Sequence, residues 1–143
     1  MADPDQRLYF LLQRAAHSLR LDADRRCLAA AGITTAQLGA LFAVHDEPGL
    51  TQRELARALG LRESAVTGLV GRLVAAGLIR RQPHPSEHRA VVLELSERGE
   101  EVLRSARPEI DRFNAELHAV LGDDFAATAQ ALHRLAHRDT GPT

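Results

Sequence analysis

The chain has 143 residues, 26% charged and 45% apolar, with a formal net charge of −1. This is the balance of one folded domain, or of one compact unit with an added helical part, and it excludes a disordered chain. All 18 basic residues are arginine and the only cysteine is Cys27, which excludes lysine-based chemistry and an intrachain disulfide.

Residues 7–31 predict a helix, because Leu8, Leu11, Leu12, Ala15 and Leu19 recur at helical spacing before Gly32. Thr34 and Gln37 have capping-box spacing and open a second helix carrying Leu38, Leu41, Phe42 and His45. Glu47-Pro48-Gly49 predicts a turn. Thr51 and Glu54 repeat the capping box and open a short helix with Leu55, Ala56 and Leu59 on one face, stopped by Gly60. After a brief turn at Leu61, residues 63–76 predict a further helix, with Val66, Leu69, Val70 and Leu73 on its apolar face. Arg62, Ser64, Thr67, Gly68, Gly71 and Arg72 lie on its other face, and Gly77 ends it.

Residues 78–82 and 90–95 predict two short strands joined by the loop 83–89. Ser96 is expected to cap a long helix over 97–121, kinked at Pro108, and Asp123 or Asp124 to cap a last helix reaching His137. The tail from Asp139 is expected to fray. The order gives a mainly α fold: a winged helix-turn-helix with a two-stranded wing, flanked by helical segments. The second helix of a helix-turn-helix lies in the major groove while the first crosses the backbone.

Charge is uneven along the chain. Between Thr51 and Arg89 stand seven arginines (53, 57, 62, 72, 80, 81, 89) against three acids, Glu54, Glu63 and Glu87. This positive segment in an otherwise acidic chain fits a polyanion-binding face, and equally a solvated surface with local ion pairs. Local structure favours DNA. Gly68 and Gly71 each cost ~1 kcal/mol relative to Ala in a helix, which is tolerable where bulk would meet a phosphate or base edge. Ser64 and Thr67 offer hydroxyls, and Arg62 and Arg72 reach phosphates or guanine. Thr51 and Gln52 open a helix whose amides suit a phosphate, with Arg53 and Arg57 near that end. His88 and Arg89 stand on the wing, where an arginine suits the narrow minor groove, and Glu87 is placed to pair with Arg89 and support it.

The run from Ile33 to Gly99 resembles the MarR family of winged-helix regulators. The resemblance rests on Thr51-Gln52-Arg53-Glu54-Leu55-Ala56, on the stretch from Ser64 to Leu73, on Gly77-Leu78-Ile79-Arg80-Arg81, on Glu87-His88-Arg89-Ala90, and on the exit from Leu93 to Gly99. Two positions depart from the pattern: Glu87 stands where the family's wing usually has Asp, and Arg62 where the reading helix often begins with Ser. The resemblance implies a DNA-binding module over 34–95, within a single unit spanning 1–143, and dimerisation helices over 7–31 and 97–137. It also implies a homodimeric repressor of a pseudo-palindromic operator, released by a small ligand, often a phenolic or aromatic acid. Independently, Leu8, Leu11, Leu12 and Leu19 with Leu117, Val120, Leu121, Leu132 and Leu135 form more apolar surface than short flanking helices hide alone.

For the effector, Arg14, His17 and His45 lie on helices near the junction that the resemblance implicates, Arg14 suiting a carboxylate. Each is also compatible with plain surface or a satisfied core position. Cys27, near the end of the first helix, is read as a buried inert thiol. His84/His88 and His133/His137 have HxxxH spacing; His133 and His137 share a helix face that could hold a transition metal, but no Cys or acid completes the pair in sequence, Asp139 being a remote candidate, and no cofactor or metal is expected. The chain carries no Gly-rich phosphate loop, nucleophile elbow or metalloprotease signature, so it is not expected to be an enzyme. A winged-helix protein-interaction module and a metal- or thiol-sensing regulator are the alternatives. With no secretory signal in the opening residues and no apolar run of the ~18 residues that span a bilayer, the expected location is cytoplasmic.

Overall fold

The turns of the chain follow local chemistry. A computed structural model describes residues 7–139; the expectation for the tail beyond Asp139 lies outside them. Helix α1 (Leu8–Ala31) stops where Gly32 takes the left-handed conformation, φ 71°, and returns its N–H to the Leu28 carbonyl. Helices α2 (Thr35–Asp46) and α3 (Gln52–Leu59) both open on complete capping boxes, at Thr34 with Gln37 and at Thr51 with Glu54. Helices α1 and α2 meet at 69°. Asp24 fixes that corner by accepting hydrogen bonds from the Thr35 amide at 2.8 Å and its hydroxyl at 2.6 Å. These bonds hold the Asp24 carboxyl below the usual carboxylate range.

Helix α4 (Glu63–Ala75) buries Val66, Leu69, Val70 and Leu73, as its periodicity predicts. Val66, Val70 and Leu73, with Leu41 and Val44 of α2, Leu55 of α3, Ile79 and Leu93, are the largest fully buried side chains of the core. Each such side chain stabilises the fold by about 1.5–3 kcal/mol relative to exposure.

The two-stranded wing is present as β2 (Ile79–Pro83) and β3 (Val91–Leu95), and the sheet adds a short strand that was not expected, β1 (Leu50–Thr51), antiparallel in the order β1-β3-β2. Leu50 pairs with Leu93, and the β2–β3 hairpin aligns Ile79 with Leu95 and Pro83 with Val91. A two-residue strand is too short to show alternation, so β1 is recognisable only through its partner.

Helix α5 (Glu97–Leu121) is one continuous helix with Pro108 inside it. The Ser96 hydroxyl accepts the Gly99 amide at 3.0 Å and donates to the Gly77 carbonyl. Gly99 is required here, because a Cβ would lie 2.2 Å from the Leu78 carbonyl oxygen. The first half of α5 also holds Glu100 at 3.4 Å from His45, Arg107 over the Phe42 ring, and Glu109 at 3.5 Å from Arg26.

The chain divides into two compact units, one through Glu109 and one from Ile110. The second unit comprises the rest of α5, a 3-10 turn (Gly122–Asp124) and helix α6 (Phe125–Ala136). None of its described residues is buried, and the His118 ring stacks on Phe125 with centroids 4.5 Å apart. Asp124 precedes α6 in a helical conformation and makes no side-chain cap, and Asp123 sits inside the 3-10 turn. The expected aspartate cap is therefore absent, because an N-cap oxygen needs an extended backbone to reach its amide.

Candidate nucleic-acid interface

The positions of Arg62, Ser64, Thr67, Gly68 and Arg72 follow from the anchoring of α4. With four apolar side chains fixed inward, these residues are exposed on the opposite side. Arg62 precedes α4 in an extended conformation and supplies no cap, so the amides of the first turn keep no side-chain acceptor from it. A Cβ at Gly71 would meet nothing within 4 Å, and at Gly68 only an Arg72 guanidinium nitrogen at 3.5 Å. Internal packing therefore does not demand either glycine.

Helices α3 and α4 are tied by polar side chains. Gln52 Nε2 donates to Thr67 Oγ1 at 2.7 Å, and that hydroxyl donates to the Glu63 carbonyl at 2.9 Å. The Thr67 proton is thus committed inside the protein, which makes Thr67 an acceptor for Gln52. Arg53 pairs with Glu63 at 3.2 Å, both largely exposed, a bond of little energetic weight. Arg57, Arg62, Arg72, Arg80, Arg81 and Arg89 are exposed and form no ion pair among the described residues. The positive surplus seen in the sequence is therefore available to an external polyanion.

The wing loop is more ordered than its composition implies. His84 donates its amide to the Ala90 carbonyl at 2.9 Å, and Ala90 donates to the Glu87 carbonyl at 3.3 Å. Arg89 has φ 70°, the only left-handed non-glycine residue among those described. Glu87 forms no ion pair with Arg89 there; its amide instead donates to His84 Nδ1 at 2.9 Å. The Ser86 amide donates to the same His84 ring nitrogen at 3.1 Å. His88 is exposed on the same loop.

The other candidates do not converge. His17 borders a shallow hollow with Gln13, Ala16 and Arg20, all on α1, Arg14 is exposed on the same helix, and His45 faces Glu100. Cys27 is buried, and burial together with Asp24 and Glu109 pushes its thiol above the ordinary range, which disfavours the reactive thiolate. The His133 and His137 rings lie 4.2 Å apart, with His137 Nδ1 on the His133 carbonyl. No group of three or more His, Cys, Asp or Glu able to hold a metal occurs among the described residues. No single described helix is long and apolar enough to cross a membrane.

Comparison with known proteins agrees with this geometry. A profile described as the MarR family matches residues 31–90. The HTH-type transcriptional regulator MT0903.1 of Mycobacterium tuberculosis is 31% identical over 122 residues, covering 85% of this chain and 84% of that protein. Among solved structures, the PcaV transcriptional regulator from Streptomyces coelicolor, in complex with its natural ligand, superposes with a TM-score of 0.81 at 28% identity, covering 96% of this chain and 99% of that one. The transcriptional repressor CouR bound to a 23-mer DNA duplex has a TM-score of 0.81 at 26% identity, covering 95% and 100%. CouR from Rhodococcus jostii RHA1 is also known bound to p-coumaroyl-CoA. A helix-turn-helix with an arginine-bearing wing, aligned over nearly its whole length with such regulators, leaves one conclusion: the chain belongs to the MarR family of winged-helix, DNA-binding transcriptional regulators.

Proposed function

We propose that the chain is a cytoplasmic homodimeric repressor that binds a pseudo-palindromic operator and is released by a small, aromatic-acid-like ligand. The observation that carries this reading is the coexistence of two surfaces. One is the set of six exposed, unpaired arginines on the winged part. The other is the exposed apolar residues of the outer helices: Leu8, Tyr9, Phe10 and Leu19 on α1, Val120 and Leu121 on α5, and Leu132 and Leu135 on α6. Residues 34–95 act as the DNA-binding module, and the helices over 7–31 and 97–137 pair two copies. Pairing sets two reading helices about 10–10.5 base pairs apart on a two-fold site.

In this reading Arg62, Ser64, Thr67, Gly68 and Arg72 enter the major groove, while Thr51, Gln52 and Arg53 meet phosphate and His88 and Arg89 reach the minor groove. Arg14, His17 and His45 are the candidate effector contacts. PcaV in complex with its natural ligand supports a small-molecule effector; in this reading the effector shifts the population towards a state unable to bind DNA.

The test is a fluorescence-anisotropy titration on a duplex carrying the region upstream of the chain's own gene. Binding should weaken steeply as salt rises, and Arg72→Ala and Arg89→Ala should each lose about tenfold or more. Absence of binding at moderate salt would favour a protein-interaction module instead.

A further inference from the structure

We propose that His84 is the positioning residue of the wing, and that it sets the conformation of Arg89 only while its imidazole is neutral. The loop reads Pro83-His84-Pro85-Ser86-Glu87-His88-Arg89. The two prolines carry no amide proton and fix their own φ, so the loop must fold around the donors that remain. Two of these, the amides of Ser86 and Glu87, converge on a single ring nitrogen, His84 Nδ1, at 3.1 and 2.9 Å. The Ser86 hydroxyl lies 3.4 Å from the same atom. The ring thus does the work of an aspartate or asparagine oxygen at a turn, accepting from residues two and three positions on.

The geometry dictates a protonation state. Nδ1 accepts through its one lone pair, so the ring proton must sit on Nε2. A protonated ring turns Nδ1 into a donor facing two donors, and the loop loses both bonds. The consequence reaches Arg89, which is held left-handed at φ 70°. For a residue with a long side chain that conformation is strained and persists only if its surroundings over-determine it. The bonds from His84 to Ala90 and from Ala90 to Glu87 close the loop around Arg89, and the His84 ring holds the other side of the same loop.

The charged groups bordering the hollow of this loop are Arg81, Glu87, His88 and Arg89. Protonation of either His88 or His84 adds positive charge to the wing and strengthens attraction to a polyanion, whereas loss of the two amide bonds at His84 works against binding. Only a comparison that leaves His88 in place isolates His84.

This inference rests on the proposed contact of Arg89 with DNA. The experiment uses the full chain and the same upstream duplex at constant salt, between about pH 8 and pH 5.5, the range in which imidazoles change charge. His84→Asn carries Oδ1 as many bonds from the backbone as Nδ1, accepts the same amides and does not titrate; His84→Ala removes the acceptor. At pH 8, wild type and His84→Asn should bind alike, with His84→Ala about tenfold weaker. On acidification, wild-type affinity should fall about tenfold relative to His84→Asn, towards His84→Ala. Nitrogen-15 spectra of the free protein at pH 8 should show the Nε2–H tautomer at His84, together with slow exchange of the Ser86 and Glu87 amides. An Nδ1–H tautomer, a His84→Ala variant as tight as wild type at pH 8, or parallel pH profiles for wild type and His84→Asn would each overturn the positioning role. If instead Arg89→Ala binds as tightly as wild type, the minor-groove reading of the wing fails, and the proposal with it.

Discussion

The winged part and the outer helices of this chain use their apolar residues in opposite ways. In α4, Val66, Leu69, Val70 and Leu73 are at most 4% exposed. In the unit from Ile110 onwards, Val120 is 83% exposed, Leu132 44%, and Leu121 and Leu135 37% each. The first part encloses its own core. The second is a helical pair too small to bury enough surface for independent stability, and its apolar residues stabilise little within one chain. Apolar residues therefore close a core in one place and, in the proposed reading, supply half of an interface in the other.

The largest expected effect tests the self-sufficient part. Leu41 is fully buried, and Leu41→Ala should lower unfolding free energy by about 2–5 kcal/mol, measured in denaturant. That loss should be the same at every protein concentration; a loss confined to dilute samples would break the comparison. Next comes Gly99→Ala. Its Cβ must displace backbone at Leu78, at a cost of about 1–3 kcal/mol in the same assay.

The outer part should answer differently. If two copies pair as proposed, Leu132→Ala with Leu135→Ala should raise the dissociation constant of that pair about tenfold, on the scale of removing two half-exposed side chains from a contact, as read by sedimentation. A variant pair that unfolds the winged part at all concentrations would sink the distinction.

Two smaller effects sharpen it. Gly71→Ala should stabilise the fold by about 0.5–1 kcal/mol, since the helix gains and no atom obstructs the new methyl, yet it should weaken DNA binding. Stability and affinity moving together would contradict an outward role for that face. Finally, the hydroxyl and then the amide of Thr35 lower the Asp24 pKa, helped by the Arg20 charge and opposed by burial. A folded pKa below the unfolded one adds stability that is complete above the ordinary carboxylate range and is lost as pH falls through the folded value. Wild type should therefore lose stability more steeply than Asp24→Asn below about pH 4.

Much of the winged part is legible in the sequence because its signals are local. The spacing of Thr34 with Gln37 and of Thr51 with Glu54 predicts both capping boxes, and the period of Val66, Leu69, Val70 and Leu73 predicts the buried face of α4. What escapes sequence reading depends on contacts between distant residues or on backbone geometry. Gly99 is obligatory only because Leu78 lies above it, and β1 exists only because β3 pairs with it. The corner between Asp24 and Thr35 is likewise invisible before the two helices meet. His84 is a different case: its spacing to Ser86 and Glu87 is local, but histidine is an unusual residue for a turn acceptor, so HxxxH spacing suggests a metal where the ring instead holds amides.

The most direct test of the account is the stoichiometry of the complex with DNA. Native mass spectrometry of the full chain with the upstream duplex should find two chains per duplex, with a two-chain species already present without DNA. A single chain bound per duplex, or a free protein that remains monomeric at the concentrations where it binds, would contradict it.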